Sequence, residues 1–366
     1  MSVAGRYLAY GLKKSLWRTV TFSAISMIIC LIVASSETAT DYENYKSTGI
    51  YMLAIVLGVC CTVMPMLELS DFKNRRNLDT LFFLPIDRRK LAAVHFISGF
   101  IQVVVIYTVA FLSSLVYLLI NTDCFELAYM IPYYFLSVLV GFVIYSFFSF
   151  IFNQGNTETD GIILCILWAF VAYAVMAVTR ETVIKAFWGP DTWYVEHIQR
   201  WNEGNSFASW GIVYAPINNL TVIFEDLIEV NRHGAQYVYE QMYAYRYIQQ
   251  MYMFFVWGAV GIACAVGFVI GFGRKGAHLA GEPSDSWLAY KSIIPIYGYS
   301  LALYSMTENS FEILLILTVI LMLIGYVVYR RSFKIKKSDI IAIACILIPI
   351  LIGLLLKSMM PTYVYV

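Results

Sequence analysis

Long apolar runs separated by short charged segments organise this 366-residue chain. Nine runs are candidate membrane-crossing helices: Val20–Ala34, Ile50–Leu67, Leu91–Ile120, Leu127–Phe152, Gly161–Val178, Met253–Phe272, Trp287–Met306, Phe311–Tyr329 and Ile340–Leu356. A helix rises about 1.5 Å per residue, so roughly 20 mostly apolar residues cover a hydrocarbon core of about 30 Å. The seventh run carries Lys291 at one end and Pro295 and Gly298 inside, which predicts a kinked or partly inserted segment. The pattern predicts an all-α integral membrane protein with about nine spans, within a range of eight to ten.

Composition agrees. Hydrophobic residues make up 60% of the chain and charged residues 13%, against roughly a quarter charged in soluble domains. A formal charge of +1 excludes nucleic-acid binding by a bulk positive field. Charge also predicts orientation, because cytoplasmic loops collect Lys and Arg. With the N-terminus inside, most of the 25 basic residues fall on inner segments. They group as Arg6 to Arg18, Lys73 to Lys90, Arg274 to Lys291 and Arg330 to Lys337. The C-terminus then lies outside. No cleavage site for a signal peptide follows the first basic cluster, so the first span reads as retained. The seven cysteines fall almost wholly within spans, where they read as small apolar residues rather than a disulfide framework.

Catalytic chemistry has no visible seat. The sequence lacks HExxH, GxSxG and GxxxxGK[ST] patterns, and its four histidines show no metal-ligand spacing. Gly271-Phe-Gly-Arg-Lys-Gly276 reads as a helix end with anchoring cations. The expectation is therefore a non-enzyme with no catalytic residue, no metal and no cofactor of its own. Tyr129–Phe152, Ile162–Val178 and Phe254–Phe272 contain no ionisable Asp, Glu, Lys, Arg or His. His95, Lys291 and Glu312 lie near span ends, where they are expected to reach the headgroups. A proton- or sodium-coupled carrier normally needs a buried carboxylate at mid-depth, and the pattern offers none.

The segment from Glu68 to Lys90, between the second and third spans, is short, amphipathic and charged at both ends. Leu78, Leu81 and Phe82 stand at i, i+3 and i+4, predicting one apolar helical face. Pro85 stops that helix, and Asp87 can cap the next. Asp79, Leu81, Leu84, Pro85, Ile86, Arg88 and Arg89 resemble the coupling-helix region of ABC transporter type-2 permeases. The resemblance extends to a six-span layout over residues 1–272, with loop 68–90 inside and an insertion at 179–252 outside. Residues 273–366 resemble the C-terminal extension, with about three further spans, of some bacterial permeases.

That resemblance implies a permease subunit in a bacterial cell membrane, driven by a separate cytoplasmic ATPase that binds ATP and Mg. It also implies a second permease subunit, identical or paralogous, and a cargo that is exported. Apolar Leu81 and Phe82 would fill a groove on the ATPase, with Arg75, Arg76, Asp79 and Arg88 orienting them at the rim.

Residues 179–252 form the one sizeable polar stretch. Ile217–Val230 and Ala235–Tyr252 read as helices around an Asn231–Gly234 turn, enough for an outer cap. Its many Trp and Tyr residues suit an interfacial belt or a lid over amphipathic cargo. Gln102, Tyr107, Tyr133, Tyr134, Tyr145, Trp168 and Tyr173 are candidates for a pathway, although each also suits helix packing. A wall of this kind is aromatic and uncharged, which favours a hydrophobic or amphipathic cargo such as a peptide or lipid. Two other classes fit the pattern: a secondary transporter or channel with an ion site at Pro295–Gly298, and a membrane sensor or scaffold using the cap.

Overall fold

A computed structural model describes residues 3–37, 45–74, 86–121, 127–172, 175, 216–217, 219–221, 223–224, 245–274, 282, 284, 286–305 and 311–359. All regular structure among them is helical. In chain order the helices are α1 (Val3–Lys14), α2 (Leu16–Glu37), α3 (Tyr45–Leu69), α4 (Arg88–Asn121) and α5 (Leu127–Gln154). They continue as α6 (Glu158–Ala172), α7 (Tyr245–Arg274), α8 (Ser292–Ser305), α9 (Phe311–Arg330) and α10 (Lys337–Met359). A 3₁₀ turn, Ser70–Lys73, extends α3, and a π turn, Trp287–Lys291, precedes α8.

Among the described residues, six stretches are long and apolar enough to cross a bilayer: Leu16–Ser35, Met52–Lys73, Arg88–Tyr117, Tyr129–Gln154, Phe254–Gly273 and Glu312–Arg330. The protein is thus a multi-span helical membrane protein. The other three expected segments correspond to α6, α8 and α10. Only α1 differs in kind, with polar and apolar residues on opposite faces and Lys13 and Lys14 in its last turn.

The chain divides into two compact units. The first comprises Met1–Cys165 and Ile212–Glu282, and the second Ile166–Gly211 and Pro283–Val366. In the first unit α4 is the central post, packing against α1, α2, α3, α5 and α7. Lipid competes equally well for apolar side chains, so close van der Waals fit must hold such helices together. Gly261 of α7 supplies one such fit. A Cβ there would lie 2.9 Å from the Cα of Val143 on α5.

In the second unit α8 packs against α9 and α10, around Ala302, Met322, Tyr326, Ile343, Ile346 and Ile350. The kink expected in the seventh segment is present, but it sits at Ala289 (φ −83°, ψ −142°) rather than at Pro295. The reason is positional. Because the helix restarts at Ser292, Pro295 falls in the first turn of α8, where backbone N–H groups have no intrahelical acceptor anyway. The Leu288 carbonyl at the kink accepts a hydrogen bond from Trp168 Nε1 at 2.8 Å. Gly298 is a packing notch rather than a hinge, since a Cβ there would overlap the Met322 side chain.

Arg330 closes the turn between α9 and α10 with a bidentate grip on buried Asp339. Asp339 also accepts the Lys336 N–H at 2.9 Å, which caps α10. Burial pushes the Asp339 carboxyl up, but the bonds from Arg330, the Lys336 N–H and Ser338 outweigh it and hold the group below its usual range. Just before this turn, Arg331 adopts φ 52° at the end of α9. Ser332 N–H reaches Val327 O and Arg331 N–H reaches Val328 O, the pattern of a Schellman cap that glycine fills without steric cost. Arg331→Gly should therefore raise stability by about 1 kcal/mol and Arg331→Val should lower it. Thermal unfolding of the purified protein in detergent reads both shifts.

Candidate functional site

Arg18, Glu68 and His95 of the first unit converge near the ends of their helices. His95, Ser98 and Gln102 lie at i, i+3 and i+7, on one face of α4. Glu68, in the last turn of α3, and Arg18, in the first turn of α2, meet that face. The Arg18 guanidinium donates to Glu68 Oε2, and also to Gln102 Oε1 from Nη2 (2.8 Å) and Nε (3.2 Å). Gln102 in turn donates from Nε2 to Glu68 Oε2 at 3.1 Å. Glu68, His95 and Gln102 are all buried. Removing an ion pair from water costs several kcal/mol per ion, so the cluster stands only because each charge has partners in place.

His95 extends the cluster to α1. Its Nδ1 lies 3.4 Å from Glu68 Oε1, an ion-pair distance but long for a hydrogen bond. Its Nε2 is 3.2 Å from the Tyr7 hydroxyl of α1. Burial pushes the Tyr7 phenol up, and the nearby negative charges of Asp71 and Glu68 push the same way, so Tyr7 keeps its proton. At the rim, Lys14 pairs with Asp71 at 3.2 Å, a largely exposed contact worth little to stability.

Neighbouring contacts fasten the same region. Phe72 packs edge-on against His95 and against Phe272 of α7, with both ring centroids 4.6 Å away. Lys73 donates to the Gly155 carbonyl at the end of α5, with its ammonium 5.0 Å above the Phe152 ring. Gly273 leaves room for Arg89, whose Cγ would be 2.8 Å from a Cβ there. A cleft of about 300 Å³ opens beside the cluster, lined by Tyr7, Tyr10, Lys14, Arg18, Glu68, Asp71 and His95 among others.

The expected site residues separate into groups. Arg75, Arg76, Asp79, Leu81, Phe82, Leu84 and Pro85 lie outside the described residues, as does Tyr173. Arg88 and Arg89 are exposed at the start of α4. That helix is capped as its sequence implies, with Asp87 accepting the Leu91 N–H at 2.9 Å on its carbonyl and facing the Arg89 N–H at 3.5 Å through its carboxylate. Gln102 is part of the ionic cluster. Tyr107 is fully buried and stacked on Tyr134, with ring planes 6° apart, and Tyr134 shares a hydrogen bond of 2.6 Å with Thr108.

Tyr133 meets Thr221 at 3.3 Å and packs edge-on against Phe224. Tyr145 is buried where Gly99 leaves space for its hydroxyl. Trp168 belongs to the second unit. Part of the expected outer cap lies inside the first unit: Ile217, Asn219, Leu220, Thr221 and Phe224 are buried.

Arg18, Glu68 and His95 are the residues that the linear pattern misses. The linear pattern places His95 at the headgroups and Glu68 in the loop, whereas the structure buries His95 and puts Glu68 in the last turn of α3. A signal was present in the polar face His95–Ser98–Gln102 within an otherwise apolar run. Among the described residues no His, Cys, Asp and Glu trio could hold a metal ion. The cluster cross-links α1, α2, α3 and α4. No family model, no curated protein and no solved structure is significantly similar to this chain.

Proposed function

We propose that this chain is the permease subunit of an ATP-driven transporter of the ABC type-2 class, working in a bacterial cell membrane. It carries no fuel site of its own; a separate cytoplasmic ATPase binds ATP and Mg and drives it through the segment around Leu81 and Phe82. A second permease subunit completes the conduit. The observation that supports this reading is the anchoring of that segment. It leaves α3 through a turn whose Phe72 and Lys73 grip α4, α5 and α7, and it re-enters at the capped start of α4. A force on a segment held this way reaches Glu68, and through Arg18 and His95 it reaches α1, α2 and α4 together, since packed elements move as units.

The cargo is hydrophobic or amphipathic, a peptide or a lipid, and it is exported. The uncharged aromatic set Tyr107, Tyr133 and Tyr134 supports this reading. A second reading gains from the same cluster: a proton-coupled carrier normally needs a buried carboxylate, and Glu68 is buried, although at the end of α3 and not at mid-depth.

Replacing Leu81 and Phe82 together by Asp is the deciding experiment. The ATP-driven reading expects the double variant to insert normally but to lose co-purification with the ATPase and the ATP-dependent export of a labelled amphipathic peptide. Export that persists without any ATPase, and collapses with the proton gradient, would transfer the function to the second reading.

A further inference from the structure

His95 is nine-tenths buried, yet it forms part of the wall of the cleft beside the ionic cluster. Its two ring nitrogens face different partners. Nδ1 makes no hydrogen bond of ordinary length and points at Glu68 Oε1, while Nε2 meets the Tyr7 hydroxyl. A neutral imidazole carries one N–H. A bare lone pair on Nδ1 would face a carboxylate and be repelled, so the arrangement places the hydrogen on Nδ1. Nε2 then accepts from the Tyr7 O–H.

A second proton therefore has one place to go, Nε2, on the side where Tyr7 and the cleft lie. We propose that His95 is a proton-binding site served by this cleft, and that proton uptake fastens α1 and α3 to α4. On uptake, Nε2 becomes a donor and the Tyr7 oxygen its acceptor, while the Tyr7 hydrogen turns toward the cleft. Nδ1–H then forms a charge-assisted contact to Glu68. No covalent bond other than the new N–H forms, and none breaks.

The surrounding charges fit this role. From α2, Arg18 occupies Glu68 Oε2, which leaves Oε1 for the imidazolium. From the 3₁₀ turn, Asp71 adds a negative charge that Lys14 of α1 partly offsets. Tyr10 of α1 lines the same cleft. Phe72, and behind it Phe272 of α7, close the remaining side without charge. On α5, the Tyr145 hydroxyl comes in beside Gly99, where the Glu68 side chain also lies. On α4 itself Arg88, Arg89 and Lys90 are exposed at the helix start. Glu68 and Asp71 balance Arg18 and Lys14, so an added proton on His95 is offset locally by Glu68 Oε1, which faces Nδ1.

The test needs neither an ATPase nor a cargo, so its outcome is independent of the proposed transport activity. Amide hydrogen exchange of α1 is followed in the full-length protein in lipid nanodiscs, at about pH 5.5 and about pH 7.5. Rates are corrected for the intrinsic pH dependence of exchange. The α1 amides are expected to exchange about fivefold more slowly at the lower pH, the scale of a neutral hydrogen bond becoming charge-assisted. His95→Gln should abolish that response. Tyr7→Phe removes the α1 acceptor while leaving the imidazole in place, and it should abolish the response too, which keeps the test decisive if His95→Gln misfolds. Exchange of α1 that ignores pH in the native protein, or a response that survives in either variant, overturns the proposal.

Discussion

Glu68→Ala is expected to destabilise the first unit by about 3–5 kcal/mol, because it leaves the Arg18 charge partly buried with no anion beside it. The loss reaches beyond one bond. Gln102 loses an acceptor, His95 loses the carboxylate facing Nδ1, and α2, α3 and α4 lose their shared polar link. Little net stabilisation comes from the pair itself, since desolvation offsets most of the attraction. The cost comes from breaking it on one side. Arg18→Met combined with Glu68→Leu should therefore recover most of the stability lost in Glu68→Ala. Thermal unfolding of the purified full-length protein in detergent measures both. A single variant as stable as the native protein, or a double variant no better than the single, would contradict the assignment of the cluster as a closed charge network.

Gly261→Leu is the second large effect, expected to cost about 3 kcal/mol or more, at or beyond the upper end of overpacking penalties. A side chain at Gly261 meets the backbone of α5 at Val143 Cα, so the obstruction cannot rotate aside; the helices must separate. Separation loosens buried Trp257 and its neighbour Phe254 against Val143. Gly258 provides the control. It lies three residues earlier on the same helix, and a Cβ there meets nothing within 4 Å. Gly258→Leu changes composition identically and should be tolerated. The midpoint of heat-induced aggregation separates the two variants; equal behaviour would mean that α5 and α7 do not approach as closely as described.

How much of this was legible in the chain can be followed residue by residue. Apolar length announced the membrane helices, since a bilayer asks only for a long enough run. Asp87 capped its helix as expected because capping is local, spanning a few residues. Pro295 and Gly298 announce a kinked or partly inserted seventh segment, but not where the kink falls. Proline alone suggested Pro295, whereas the break at Ala289 depends on where the helix restarts and on Trp168 taking the Leu288 carbonyl from 120 residues away.

The ionic cluster was hidden for a similar reason. Arg18, Glu68 and His95 each look like residues at span ends, and a span-end charge ordinarily points to water. Their partners are 27 to 88 residues distant in sequence, and nothing in the local pattern records a pairing over that range. Glycines divide in the same way. Gly258 and Gly261 read alike in an apolar run, yet one faces open space and the other the backbone of α5.

By itself, then, the sequence determined that this chain is helical and crosses a membrane several times, because hydrogen-bond satisfaction in lipid and apolar length are properties of each segment alone. Which charges would be buried together, which glycine would be a contact and where the seventh segment would bend were decided only by tertiary structure. Those outcomes depend on what arrives from elsewhere in the chain to meet each side chain. Burial is a property of the neighbours as much as of the residue.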